Sequence, residues 1–264
     1  MTGSPRRLVS LCPSITESLV ALGLEGLLVG VTRYCIRPRE ALAPVARVGG
    51  TKNPDLARIR ELAPDLVLCN AEENRREDVE ALAAEFPVDL SHPRRAADVP
   101  PLLRRWGSAG GRPAEGEALA ARIEEGLRAA EAAAGASGEG FRFVYLVWRD
   151  PWMAAGEETY PADLARLAGG VPALPAGKGD WARLSEADLA AAAPDVVLLP
   201  DEPYPFGEEH GAEIRALLPL ARVVPVAGEE WCWHGFGTLR GLAAAASLRA
   251  LLAPGGEGRG TSRS

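Results

Sequence analysis

The sequence predicts an α/β protein made of two lobes, each with a central parallel sheet, joined by a single long α-helix. An internal echo carries most of this: Glu61-Leu-Ala-Pro-Asp-Leu-Val-Leu68 matches Ala191-Ala-Ala-Pro-Asp-Val-Val-Leu198, with the two Pro-Asp pairs 130 residues apart. Both halves also open alike. Leu8-Val-Ser-Leu11 precedes a helix ending at Leu19-Val-Ala-Leu-Gly23, and Phe143-Val-Tyr-Leu146 precedes one ending at Leu164-Ala-Arg-Leu-Ala-Gly169. Between the halves, apolar Leu119, Ile123 and Leu127 recur every four residues among alanines and charges over Pro113 to Ala136, the pattern of an amphipathic helix.

Each element follows from its local chemistry. In both copies of the echo the proline stops a helix, the aspartate makes a turn, and the β-branched run after it reads as a strand buried on both faces of a parallel sheet. Strands alternating with helices imply parallel sheets covered by helices. The lobes are placed at residues 5–95 and 140–253, with a connector at 96–139 that holds the long helix and ends in the Gly/Ser-rich stretch Gly135 to Gly140. The Gly-, Arg- and Ser-rich tail 254–264 is expected to be disordered.

Composition sets several function classes aside. A net charge of -7, with arginines scattered among acids, offers no concentrated basic face for nucleic acid. No run of about 18 apolar residues is present to span a membrane. The apolar stretch ahead of Pro13 is too short for the core of about 7 to 15 residues that an export signal needs, so the chain as written is expected in the cytoplasm, or in the periplasm or at the cell surface if its N-terminus is incomplete. Cys12, Cys35, Cys69 and Cys232 show no zinc spacing. Cys12 and Cys69 end apolar runs and read as core residues, whereas Cys35 and Cys232 lie in polar, aromatic loops.

Aromatic residues make up only 6% of the chain, yet four of the six tryptophans fall in two short segments, Trp148-Arg-Asp-Pro-Trp152 and Trp231-Cys-Trp-His234, joined by Tyr204-Pro-Phe206 as a third aromatic loop. Loops after the strands of an open α/β sheet line the crevice where ligands bind. Large flat side chains there suit a broad, partly apolar ligand. The first lobe offers Thr32-Arg-Tyr-Cys35, Gly49-Gly-Thr-Lys-Asn53 and Asn70-Ala-Glu-Glu-Asn74 to polar groups at a ligand's rim, although Gly49-Gly50 reads equally as a turn before a helix capped by Asn53 or Asp55. His92 and His210 are expected to be solvated. His234 is either an axial metal ligand or donor to a ligand amide, or a satisfied loop histidine. No nucleophile elbow, phosphate-cradling loop, HExxH or dinucleotide fingerprint is present.

With Leu8-Val-Ser-Leu-Cys-Pro-Ser-Ile-Thr-Glu17, Val29-Gly-Val-Thr-Arg-Tyr34, Val48-Gly-Gly-Thr-Lys-Asn-Pro-Asp-Leu56 and Ala63-Pro-Asp-Leu-Val-Leu68, the chain resembles the helical-backbone metal receptor family, the periplasmic-type (class III) substrate-binding proteins for vitamin B12, ferric siderophores, haem and metals. The resemblance covers about residues 6–250. It implies two Rossmann-like lobes, one backbone helix and a ligand held in the cleft. The cobalamin-binding branch is the most similar, and its ligand contacts map onto Pro13, Tyr34, Trp152, Trp231 and His234, the last standing where that branch has an arginine. Exported relatives dock to an ABC permease through one carboxylate per lobe. The nearest acids here are Glu77 or Asp78 and Glu208 or Glu209, with Arg75 and Arg76 beside the first pair.

The sequence therefore predicts a monomeric, non-catalytic binder with no cofactor of its own. Its ligand is expected to be cobalamin or another corrinoid, held by Pro13, Arg33, Tyr34, Cys35, Glu73, Trp148, Arg149, Trp152, Tyr204, Trp231, Trp233 and His234. The alternatives are a ferric siderophore or haem, a bare metal ion bound by Cys35, Glu73, Cys232 and His234, or an enzyme working through Cys35, Glu73, Asp150 or His234.

Overall fold

The computed structural model of the chain describes residues 5–136 and 140–253. It divides into two compact units: one runs up to Glu125 and includes Trp233–Thr238, and the other comprises Gly126–Cys232 and the residues from Leu239 on. The tail 254–264 lies outside the described residues.

The first unit runs β1 (Leu8–Ser10), α1 (Pro13–Ala21), β2 (Leu28–Val31), α2 (Arg39–Leu42), β3 (Ala46–Arg47), α3 (Leu56–Leu62), β4 (Leu66–Asn70), α4 (Arg76–Ala83), β5 (Val88–Ser91) and α5 (Val99–Ala109). Its five strands form one all-parallel sheet in the order β3-β2-β1-β4-β5. The sheet packs against helices through Val9, Leu11, Ile59, Val67 and Leu82, all closed to solvent. Helix α6 (Pro113–Ala136) then carries the chain across the division, with Leu119, Ile123 and Leu127 buried as their spacing requires. Among the described residues no helix is long and apolar enough to cross a membrane.

The second unit contains β6 (Phe141–Trp148), β7 (Trp152–Ala155), α7 (Tyr160–Leu167), β8 (Gly170–Pro172), β9 (Trp181–Leu184), α8 (Glu186–Ala192), β10 (Val196–Pro200), α9 (Glu208–Leu217), β11 (Arg222–Val226), α10 (Gly228–Cys232) and α11 (Thr238–Leu252). Here the sequence expectation of a parallel sheet needs correction. The order is β11-β10-β6-β7-β9 with β8 beside β6, and β7 is antiparallel to both β6 and β9. The cause is the turn after Trp148. Asp150 takes a left-handed conformation at φ 62°, which an aspartate tolerates, so the chain reverses into β7 before reaching α7.

The internal echo proves to be one structural device used twice. Helices α3 and α8 each end on an alanine in the left-handed region, Ala63 at φ 43° and Ala193 at φ 42°. Two residues on, an aspartate accepts from the start of the unit's first strand: Asp65 from the Arg6 and Arg7 amides at 2.9 and 2.8 Å, and Asp195 from the Arg142 amide at 2.7 Å. The arginine there caps the helix, as Arg7 donates to the Leu62 carbonyl at 2.6 Å and Arg142 to that of Ala192 at 2.7 Å. The device thus joins a helix end, a turn and the strand beside it, Val9 pairing with Val67 and Val144 with Val197.

Two opposite effects are expected from this geometry. Asp65→Ala should lower the stability by about 1–3 kcal/mol, because charge-assisted bonds to two amides are lost. Ala63→Gly should raise it by about 1 kcal/mol by relieving the left-handed alanine. Urea midpoints at constant slope check both.

Candidate functional site

In a parallel sheet every strand delivers its following loop to the same edge, and ligands meet such sheets outside the carboxyl ends of the strands, where the strand order reverses. In the first unit that reversal lies at β1, between β2 and β4. The loops gathered there are Leu11-Cys12-Pro13, Thr32-Arg33-Tyr34-Cys35, Val48 to Asn53 and Ala71 to Asn74.

Two asparagines bind these loops into one body. The Asn74 side chain donates to the carbonyls of Leu11 and Thr51, both at 3.0 Å, and accepts from the Asn70 amide at 2.8 Å. Asn70 in turn accepts from the Glu72 and Glu73 amides at 3.0 and 3.1 Å. Gly49, at φ 88°, sits where a Cβ would lie 2.6 Å from the Asn53 carbonyl oxygen, so the Gly-Gly pair serves the turn. The helix that follows is capped by Asp55, which accepts from the Arg58 amide at 2.9 Å.

His234 closes this network and is buried in it. Its Nε2 lies 3.2 Å from Ser14 Oγ and 3.1 Å from Asn70 Nδ2. Next to it Gly235, at φ 73°, passes against Ser18, whose hydroxyl accepts from the Phe236 amide at 2.9 Å. Burial, with a smaller contribution from His92, holds the His234 ring's pKa at about 4, so it is neutral. His234 therefore ties residues 233–238 to the first unit's loops, with Nε2 engaged by protein groups.

Around this body the sequence-predicted residues divide by exposure. Tyr34 is 49% exposed, and Arg33 lies over its ring at 5.0 Å while donating to its hydroxyl at 3.1 Å. Glu73 is exposed, Pro13 is half-buried at the first position of α1, and Trp233 is half-buried. Cys35 differs from its expected place in a polar loop. It is buried, with its sulfur 3.1 Å from the hydroxyls of both Thr16 and Thr32. Burial pushes its thiol upward, opposite to what a nucleophile needs. Cys12 and Cys69 are core residues whose thiols burial pushes up to about 12.

The second unit's edge carries the aromatic loops. Trp148 is 43% exposed and meets Tyr204 edge-on at 5.2 Å, and Tyr204 lies 4.8 Å from Phe206. Trp152 alternates to the opposite side of the turn and is only 3% exposed, stacked on Phe206 at 6.3 Å with the Arg149 guanidinium 4.3 Å from its ring. Trp231, 1% exposed, packs beside Tyr145 at 6.1 Å. Trp152 and Trp231 thus support this edge from within, while Trp148 is exposed and Tyr204 is half-buried against it.

His210, expected to be solvated, is largely covered beneath the aromatic residues: Nδ1 accepts from the Gly207 amide at 3.0 Å and Nε2 is 3.1 Å from the Tyr204 hydroxyl. Its position three residues past Gly207, at a helix start, was the available signal. Glu213, which clasps Arg149 at 2.5 and 3.1 Å, carried none. Of the acids considered for docking, Glu77, Glu208 and Glu209 are exposed, while Asp78 is buried and held by Arg75 at 2.9 Å. Among the described residues no group of three or more His, Cys, Asp or Glu could hold a metal ion.

Two α/β units, each presenting aromatic and polar loops at the carboxyl edge of its sheet, have the architecture of a solute-binding protein. The periplasmic binding protein family model matches residues 8–212, and the chain belongs to that family. The chain is 23% identical over 231 residues to the vitamin B12-binding protein of Pectobacterium carotovorum, covering 86% of this chain and 82% of that one. It is 26% identical over 205 residues to the uncharacterized ABC transporter substrate-binding lipoprotein YvrC of Bacillus subtilis, covering 75% and 64%. Among solved structures, the periplasmic vitamin B12-binding protein BtuF of Vibrio cholerae superposes with a TM-score of 0.82 at 19% identity, covering 94% and 98%. The periplasmic heme-binding protein RhuT of Roseiflexus does so at 0.76 and 27%, also covering 94% and 98%. These periplasmic and lipoprotein relatives overturn the expected cytoplasmic location and point to one outside the cytoplasm.

The buried neutral His234 has a measurable consequence. An unfolded histidine takes up its proton near pH 6.5, and the folded one only near pH 4. As pH falls through that window the unfolded state binds more protons, and up to roughly 3 kcal/mol of stability is lost. His234→Asn should remove that slope, as denaturant titrations between pH 7 and 4 would register.

Proposed function

We propose that this chain is a non-catalytic substrate-binding protein for a corrinoid, acting as a monomer and supplying an ABC permease. The observation that carries the reading is an exposed aromatic ring at the carboxyl edge of each sheet, Tyr34 beneath Arg33 in the first unit and Trp148, packed on half-buried Tyr204, in the second. Broad rings bind through buried area, about 25 cal/mol per Å² before association costs, which suits a planar macrocycle with polar substituents. The likeness to vitamin B12-binding relatives supports the corrinoid over other chelates. Haem is the second reading, favoured by the likeness to RhuT. Glu77 and the pair Glu208 and Glu209 are the exposed carboxylates available to a permease.

Titration with cyanocobalamin and cobinamide, followed by tryptophan fluorescence and the corrin absorption bands, tests this, with haem and a ferric siderophore alongside. Saturable one-to-one quenching by a corrinoid is expected. A response to haem alone transfers the site to haem, and silence toward all four sinks the chelate reading. Trp148→Ala should weaken corrinoid binding about tenfold with little loss of stability. Trp231→Ala should instead cost about 3–5 kcal/mol of stability, because its ring is enclosed.

A further inference from the structure

Helix α9 lies behind the aromatic loops of the second unit and determines what they offer a ligand. His210 and Glu213 stand three residues apart on it, on one face. The Gly207 amide donates to His210 Nδ1 at 3.0 Å, nearer than the Glu209 carboxylate at 3.5 Å, so in the neutral ring Nδ1 is the acceptor and the hydrogen sits on Nε2. Nε2 then donates across 3.1 Å to the Tyr204 oxygen, which leaves the phenol's own hydrogen to be given elsewhere. Tyr204 is thereby a donor.

Glu213 acts on the neighbouring cation. It holds Arg149 through two bonds, at Nε and Nη2, and the Asp150 carboxylate takes Nη1. One guanidinium charge is thus met by two carboxylates. Glu208 and Glu209 open α9, Glu208 being paired with Arg215, and Asp201 is exposed at the start of the loop that carries Tyr204. The edge offers an uncharged hydroxyl donor in an acidic surround, with its arginine already matched.

We propose that α9 makes this edge selective for a ligand whose periphery carries uncharged acceptors, carboxamides rather than carboxylates, with His210 and Glu213 as the positioning residues. Like-charge contact rejects a carboxylate, and the Tyr204 hydroxyl receives an amide carbonyl. The inference rests on the corrinoid reading and adds the chemistry by which one corrinoid is preferred to another.

The test compares dicyanocobinamide, whose side chains are amides, with cobyrinic acid, whose side chains are carboxylates. The wild-type protein should prefer the amide form about tenfold. Glu213→Gln should narrow that preference at least about threefold by tightening the carboxylate form. Tyr204→Phe and His210→Asn should each weaken the amide form about fivefold, with the double variant no weaker than either single one, and His210→Gln, which can still donate to Tyr204, should recover part of the loss. An unchanged preference in Glu213→Gln, or additive losses at Tyr204 and His210, overturns the proposal. If neither corrinoid binds, the corrinoid reading fails by itself, and the same contrast is read with haem and its dimethyl ester, where preference for the ester supports the selectivity and indifference refutes it. Nitrogen NMR of the unliganded protein is an independent check, since a His210 hydrogen on Nδ1 refutes the proposal whatever binds.

Discussion

In each unit the carboxyl edge of the sheet is organised from the opposite edge, by an aspartate that holds the start of the first strand. Asp65 and Asp195 place that strand beside its neighbour, β1 against β4 and β6 against β10, and the loops that follow those strands leave from that register. The left-handed alanines and the arginine caps belong to the same arrangement. A carboxylate bonded to backbone amides is strong and directional, which suits it to setting register where apolar side chains alone leave it loose.

From this frame the two units diverge in their loops. The first builds a hydrogen-bonded body around Asn70, Asn74 and His234, in which side-chain amides satisfy loop carbonyls that no strand partner reaches. The second builds with rings, Trp148, Tyr204, Phe206 and Trp152, braced by α9. The first edge is held by hydrogen-bond geometry and the second by the area of packed rings.

Much of the architecture was legible because repetition and periodicity survive in a single sequence. The Pro-Asp echo located both helix-to-strand steps, and the spacing of Leu119, Ile123 and Leu127 located the long helix. The hairpin at Asp150 was hidden, since one residue entering the left-handed region reverses a chain without altering its hydrophobic pattern. The site was legible as composition and not as direction. Trp148 and Trp152 stand four residues apart in one aromatic segment, yet the turn sends one outward and the other into the core. His234 read equally as a ligand or as a satisfied loop histidine, and its protein partners Ser14 and Asn70 could not be seen because they are far away in sequence. Location was misjudged because a short apolar stretch near the start says little about where relatives of this fold reside.

The Asn74 side chain has a consequence for how such a binder can change its ligand. By holding Leu11, Thr51 and Asn70 at once, it makes three loops of the first unit share one set of positions. Exchange of the loop that carries Asn74 with that of a relative would leave the Leu11 and Thr51 carbonyls stranded. Retargeting this half by recombination therefore demands that the three loops travel together, while the ring-built half can drift one aromatic at a time.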